Sequence, residues 1–140
     1  QALDIDATGR ADALDIAALQ RLHAMKTGAL LRAAVRLGAI AAGADADARA
    51  RLDTFANALG LAFQVRDDLL DVEGDSATMG KTAGKDVALA KATFPALLGI
   101  EASRGRLASL RATMQDALAP LGGRVEALAG LGTQAIERDH

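Results

Sequence analysis

Between Ile16 and Ile40 the apolar residues return with a helical period: Ile16, Leu19, Leu22, Met25, Ala29 or Leu30, Ala33, Leu37, Ile40. Seven turns at that spacing put one greasy stripe along a long helix, a pattern that the alternation of a strand cannot reproduce. Asp15 is placed to cap its start, and Gly43, followed by Asp45 and Asp47, marks its end and the next beginning. Gly28 and Gly38 lie inside it. An interior glycine costs about 0.5–1 kcal/mol against alanine, so close packing or a bend is expected there. The same bias runs through the chain, whose apolar half is mostly Ala and Leu, with no Trp or Tyr and three Phe. These are helix formers, and an all-α fold follows. At 140 residues and 51% hydrophobic, the chain can fill one domain.

The segment from Leu3 to Asp12 carries Gly9, has no sustained period and reads as a connector. A second long helix is predicted from about Asp47 to Val72, followed by a glycine-punctuated loop over 73–86. A third runs from about Thr93 to Leu118, with Pro95 tolerated in its first turn. After Pro120 and Gly122-Gly123, a last amphipathic helix carries Val125, Leu128, Leu131, Ala135 and Ile136. No internal repeat or second-domain linker is visible.

A formal charge of −2 and a pI near 5.6 give no pull toward nucleic acid, and the aromatic platforms that single strands stack on are missing. Without Cys, disulfides and thiolate metal sites are excluded and carboxylates are left as the metal ligands. Charged residues interrupt every apolar stretch before the roughly 18–20 residues a membrane span needs. A soluble, cytoplasmic protein is expected. The sequence opens at Gln1 without a Met, as if entering from a preceding element, and a fragment is expected.

The densest chemistry lies in Leu61-Ala62-Phe63-Gln64-Val65-Arg66-Asp67-Asp68-Leu69-Leu70-Asp71. Gln64, Asp67, Asp68 and Asp71 fall at i, i+3, i+4 and i+7, one polar stripe on an otherwise greasy helix. Like charges so spaced cost about 0.2–0.5 kcal/mol per pair when exposed, and more behind apolar walls. Near a helix C-terminus they also oppose the dipole. A solvated acidic patch is one reading; the other is a hard divalent cation, Mg²⁺, held through oxygen and bridging to phosphate. Lys26-Thr27 interrupts the first long helix, either as a snorkelling rim residue or as a cation and hydroxyl for an anionic ligand. Lys81, Lys85 and Lys91 lie in or beside the glycine-rich loop; they are surface lysines or, with Gly80 and Gly84 beside them, suited to closing over a phosphate. His23 lacks metal-binding companions and is read as structural, and Arg32, Arg36, Arg104 and Arg111 are read as helix surface.

Taken together, Lys26-Thr27-Gly28-Ala29-Leu30, the Phe63–Asp71 run, Gly80-Lys81-Thr82-Ala83-Gly84-Lys85-Asp86 and Lys91-Ala92-Thr93-Phe94-Pro95 resemble, in order and spacing, the trans-isoprenyl diphosphate synthase family. The likeness is greatest to the C-terminal half of its bacterial farnesyl diphosphate-forming members. It implies an isoprenoid synthase-type helical bundle, of which residues 1–140 are the C-terminal portion, working as a homodimer. It also implies a prenyltransferase that joins isopentenyl diphosphate to an allylic diphosphate by Mg²⁺-assisted ionisation, although an isolated fragment is expected to be inactive. In that likeness Asp67, Asp68 and Asp71 are the second aspartate-rich motif and bind metal or its waters. Lys26 and Lys81, with Lys91, grip the allylic diphosphate. Thr27 and Gln64 turn oxygens toward the developing cation, Phe63 lies beside the isopentenyl group, and Arg138 reaches its diphosphate. Gln1 and Asp4 match an element near the cavity. The first aspartate-rich motif is absent, and Glu137-Arg138-Asp139-His140 stands where many relatives carry a basic tail. Two rivals stand beside this reading. A terpene cyclase is disfavoured by aromatic-poor walls, and a noncatalytic partner subunit by the complete acidic stripe.

Overall fold

A computed structural model of the chain describes residues 16–25, 27–78 and 93–138, with side chains for all of these except 22–24 and 75–78. The described residues are mostly helical, with no strand among them: α1 (Ile16–Met25), α2 (Thr27–Ala41), α3 (Ala46–Thr78), α4 (Phe94–Leu98), α5 (Ile100–Leu118), a 3₁₀ segment (Ala119–Val125) and α6 (Glu126–Glu137). The single helix predicted over 15–43 corresponds to α1 and α2, on either side of Lys26. Its end is as expected. Gly43 donates to the Ile40 carbonyl at 3.0 Å and Ala44 to that of Ala39 at 2.9 Å, the paired bonds of a Schellman stop. Asp45 then caps α3 by accepting the Ala48 N–H at 2.8 Å.

The 33-residue α3 is the axis of the fold. Leu52, Phe55, Leu59, Ala62, Val65 and Leu69 recur three or four apart and are all buried, so one face of α3 carries most of the core. Leu110, Met114, Ala117 and Leu118 of α5, Ile136 of α6, Phe94 of α4 and Leu19 of α1 close around it. Completely burying a side chain such as Phe55 contributes about 1.5–3 kcal/mol. Ion pairs stitch the outside: Arg36 grips Asp53 at 2.6 and 2.7 Å across α2 and α3, and Arg111 meets Glu137 at 2.6 Å across α5 and α6. Of the arginines read as helix surface, Arg36, Arg104 and Arg111 thus also link one helix to another.

Two boundaries differ from expectation. The predicted end at Val72 moves to Thr78, because Glu73 is tied on both sides, to Arg66 at 3.7 Å and to Arg104 of α5 at 2.9 Å. Asp67, Asp68 and Asp71 therefore stand well inside the helix, where the dipole, which acts within the last turn, no longer opposes them. The third predicted helix is interrupted at Gly99, whose φ of 85° and ψ of 160° lie outside the reach of ordinary L residues. Thr93 caps the short α4 before it, accepting the Ala96 N–H at 3.3 Å, and Ser103 closes the start of α5 onto the Gly99 carbonyl at 2.8 Å.

Candidate functional site

One close approach sets the geometry. A Cβ added to Gly60 would stand 2.7 Å from the Cα of Gly28, so α2 crosses α3 with backbone almost against backbone. At about 100° per residue, Gly60 lies within about 20° of Asp67 around α3 and about two turns before it. The start of α2, with Thr27 beside Gly28, is thereby laid on the acidic face of α3. The interior Gly28 does mark close packing.

Within the stripe the same arithmetic spreads the side chains over an arc of about 100°, in the order Asp67, Asp71, Gln64, Asp68, with Phe63 just outside the Asp67 edge. The two edges have different fates. Asp68 is 4% exposed. One of its oxygens accepts the Phe94 N–H at 2.9 Å and the other the Gln64 Nε2–H at 3.0 Å. Burial pushes its carboxyl above the ordinary value, the two hydrogen bonds pull it back, and the charges of Asp71 and Asp67 push it up further. Spacing groups Asp68 with Asp67 and Asp71, and the resemblance makes all three metal ligands. The buried oxygens of Asp68 tie α3 to the N-terminus of α4, where a negative charge is favoured.

Gln64 takes its orientation from the same bond. An ionised carboxylate only accepts, so the amide nitrogen faces Asp68 and Oε1 is left for another donor or cation.

At the other edge, Asp67 is half-exposed and pairs with Arg138 from the end of the chain. The Arg138 guanidinium lies 4.2 Å above the centroid of the Phe63 ring, a cation–π arrangement. Its backbone carbonyl accepts from Arg66 Nε at 2.9 Å and Nη2 at 2.7 Å. Arg138 therefore faces a carboxylate and an aromatic ring. Arg66 does lie off the stripe, as expected, yet it is the residue that clamps the C-terminal segment. The i, i+7 spacing of Arg66 and Glu73 was the available signal, and it becomes meaningful only once α3 continues past Val72. Asp71 is exposed and has no cationic partner among the described residues.

No three His, Asp or Glu side chains among the described residues converge tightly enough to enclose a metal by themselves. What the stripe offers is an oxygen-only pair, Asp67 and Asp71, one turn apart on an open face. That fits Mg²⁺, which takes one or two protein carboxylates and fills its remaining positions with water and phosphate. Two clefts of about 380 and 520 Å³ lie elsewhere, the first between α5, the 3₁₀ segment and α6, the second between α2, α3 and α6. Gln1, Asp4, Lys26, Lys81 and Lys91, and the Gly80–Asp86 motif, lie outside the described residues, as does the side chain of His23. No helix among the described residues is long and apolar enough to cross a membrane.

Comparison with known proteins supplies the family. Residues 1–120 match the polyprenyl synthetase model. The chain is 51% identical over 139 residues to the farnesyl diphosphate synthase of Escherichia coli (strain K12), covering 98% of this chain and 44% of that protein. It is 42% identical over 127 residues to a dimethylallyltranstransferase of Fischerella ambigua (strain UTEX 1903), covering 91% of this chain and 37% of that one. A crystal structure from Marinomonas sp. MED121 that carries a farnesyl-diphosphate synthase assignment superposes with a TM-score of 0.80 at 30% identity, over 96% of this chain and 44% of that one. The chain spans well under half the length of these relatives. The expected isoprenoid synthase-type helical fold is borne out, and the chain belongs to the polyprenyl synthetase family.

Proposed function

We propose that this chain is the C-terminal portion of a short-chain prenyltransferase that joins isopentenyl diphosphate to an allylic diphosphate, and that it supplies the second acidic wall of the active site. The observation that carries the reading is the split of the acidic stripe. One carboxylate, Asp68, is consumed in holding the frame, while Asp71 is exposed and Asp67 is half-exposed with Arg138 as its partner. Relatives named farnesyl diphosphate synthase and dimethylallyltranstransferase support this choice of substrates.

Asp67 and Asp71 would hold Mg²⁺. Bound there, the ion supplies charge for the departing diphosphate, a Lewis-acid role. The remaining chemistry belongs to the chain. Lys26 and Lys81, with Lys91, grip the diphosphate oxygens as point charges. Gln64, its amide nitrogen held by Asp68, presents Oε1 to the allylic carbon as positive charge builds; Thr27 adds a second oxygen. Because the Gln64 dipole is fixed before reaction, it stabilises the cation without reorganising. Phe63 bounds the place of the isopentenyl group. The isopentenyl double bond attacks the allylic carbon, and loss of a proton to the diphosphate completes a head-to-tail condensation. A homodimer and a cytoplasmic location belong to the same reading.

In the full-length protein, Asp67→Ala is expected to lower kcat by at least about 10²-fold at saturating Mg²⁺, the scale on which a lost transition-state charge contact is felt. Near-normal turnover would overturn the site assignment.

A further inference from the structure

Arg138, just past the end of α6, is held by three contacts of different kinds. The Arg138 carbonyl receives two N–H donors from Arg66, its guanidinium lies on Phe63, and one of its nitrogens donates to Asp67. The hold is incomplete, because Arg138 Nε is buried without a hydrogen-bond partner. An unsatisfied buried donor costs about 1–3 kcal/mol, which makes this pose one that a better partner for Asp67 can displace.

Resting on the metal-site reading above, we propose that Arg138 is a built-in cation for Asp67, a C-terminal strap that neutralises this carboxylate while no metal is bound and is released when a divalent cation takes its place. Electrostatics favours such a counter-charge. Asp67 stands one turn from Asp71 and next to Asp68, and among the described residues Arg138 is the cation that pairs with it. A guanidinium and a divalent cation both serve as the counter-charge, and they cannot share the same carboxylate oxygen. Release also uncovers Phe63, so the strap leaves the metal position and the adjacent apolar surface together. Metal binding and the position of the C-terminal segment are therefore linked, and each weakens or strengthens the other by the same factor.

The test uses Mn²⁺ as a paramagnetic probe, titrated by EPR into the full-length protein without substrate. The relevant site is the one that Asp67→Asn removes. Arg138→Gln should tighten Mn²⁺ at that site by about fivefold, the strength of a partly exposed ion pair. Hydrogen exchange of the segment ending at Arg138 should rise when Mn²⁺ is added to the wild type. Unchanged or weaker Mn²⁺ affinity in Arg138→Gln, with Asp67→Asn still losing the site, overturns the strap and leaves the metal reading intact. Mn²⁺ binding unaffected by Asp67→Asn overturns both.

Discussion

Replacing Gly60 with alanine isolates the crossing that aligns the two halves of the site. The new Cβ would meet the Gly28 Cα at 2.7 Å, where carbon atoms prefer about 3.5–4.0 Å. The obstacle is backbone rather than a flexible side chain, so α2 must move away by about 1 Å. Overpacking of this kind costs about 1–3 kcal/mol, offset by the roughly 1 kcal/mol that alanine gains over glycine in a helix. The net expectation is a loss of about 0–2 kcal/mol. Gly105, on α5 with nothing within 4 Å of an added Cβ, is the control: Gly105→Ala receives the helix-propensity term alone and should stabilise by about 0.5–1 kcal/mol. The two alanine variants should therefore differ by about 1–3 kcal/mol in urea unfolding, with Gly60→Ala the weaker. Turnover should separate them further, since a shift of about 1 Å between Thr27 and Gln64 can cost about 10²-fold in kcat. Equal stability and equal turnover for the two variants would refute the close crossing and the alignment built on it.

Asp68→Ala strands the Phe94 N–H and the Gln64 amide, and should lower unfolding free energy by about 1–3 kcal/mol in denaturant titration. Asp68→Asn restores an acceptor for Phe94, so it should recover part of that loss; no loss in Asp68→Ala, or no recovery in Asp68→Asn, would contradict the anchoring role. Arg36 holds the Asp53 carboxyl below its usual range by hydrogen bonding. That contribution is complete above the unfolded value of about 3.9 and fades as pH falls through the lower folded value. The stability difference between wild type and Arg36→Met should accordingly shrink as pH falls below about 4, and a difference independent of pH would exclude the pair as its source.

The sequence made the helices legible where local signals agreed. The long apolar period, the Gly43 stop and the Asp45 cap needed nothing from the rest of the fold. The extension of α3 to Thr78 was hidden because its support comes from Arg104, 31 residues away, and the break at Gly99 because a lone glycine between apolar residues looks like helix interior until its φ is known. The acidic stripe was legible as a periodic group, and the family resemblance was carried by its neighbours. Its division was not. Spacing places Asp67 and Asp68 on one stripe, whereas their partners, Arg138 and Phe94, arrive from 71 and 26 residues away. Long-range partners bury Asp68 under a backbone N–H and set Asp67 against an arginine.

The central claim is a head-to-tail condensation on the acidic face of α3. Full-length protein incubated with Mg²⁺, an allylic diphosphate and isotopically labelled isopentenyl diphosphate tests it directly. The account predicts label in a prenyl diphosphate longer than the allylic starting material, formed only with metal and lost in Asp67→Ala. Consumption of the allylic diphosphate without incorporation of label, or a labelled product that persists in Asp67→Ala, would contradict it.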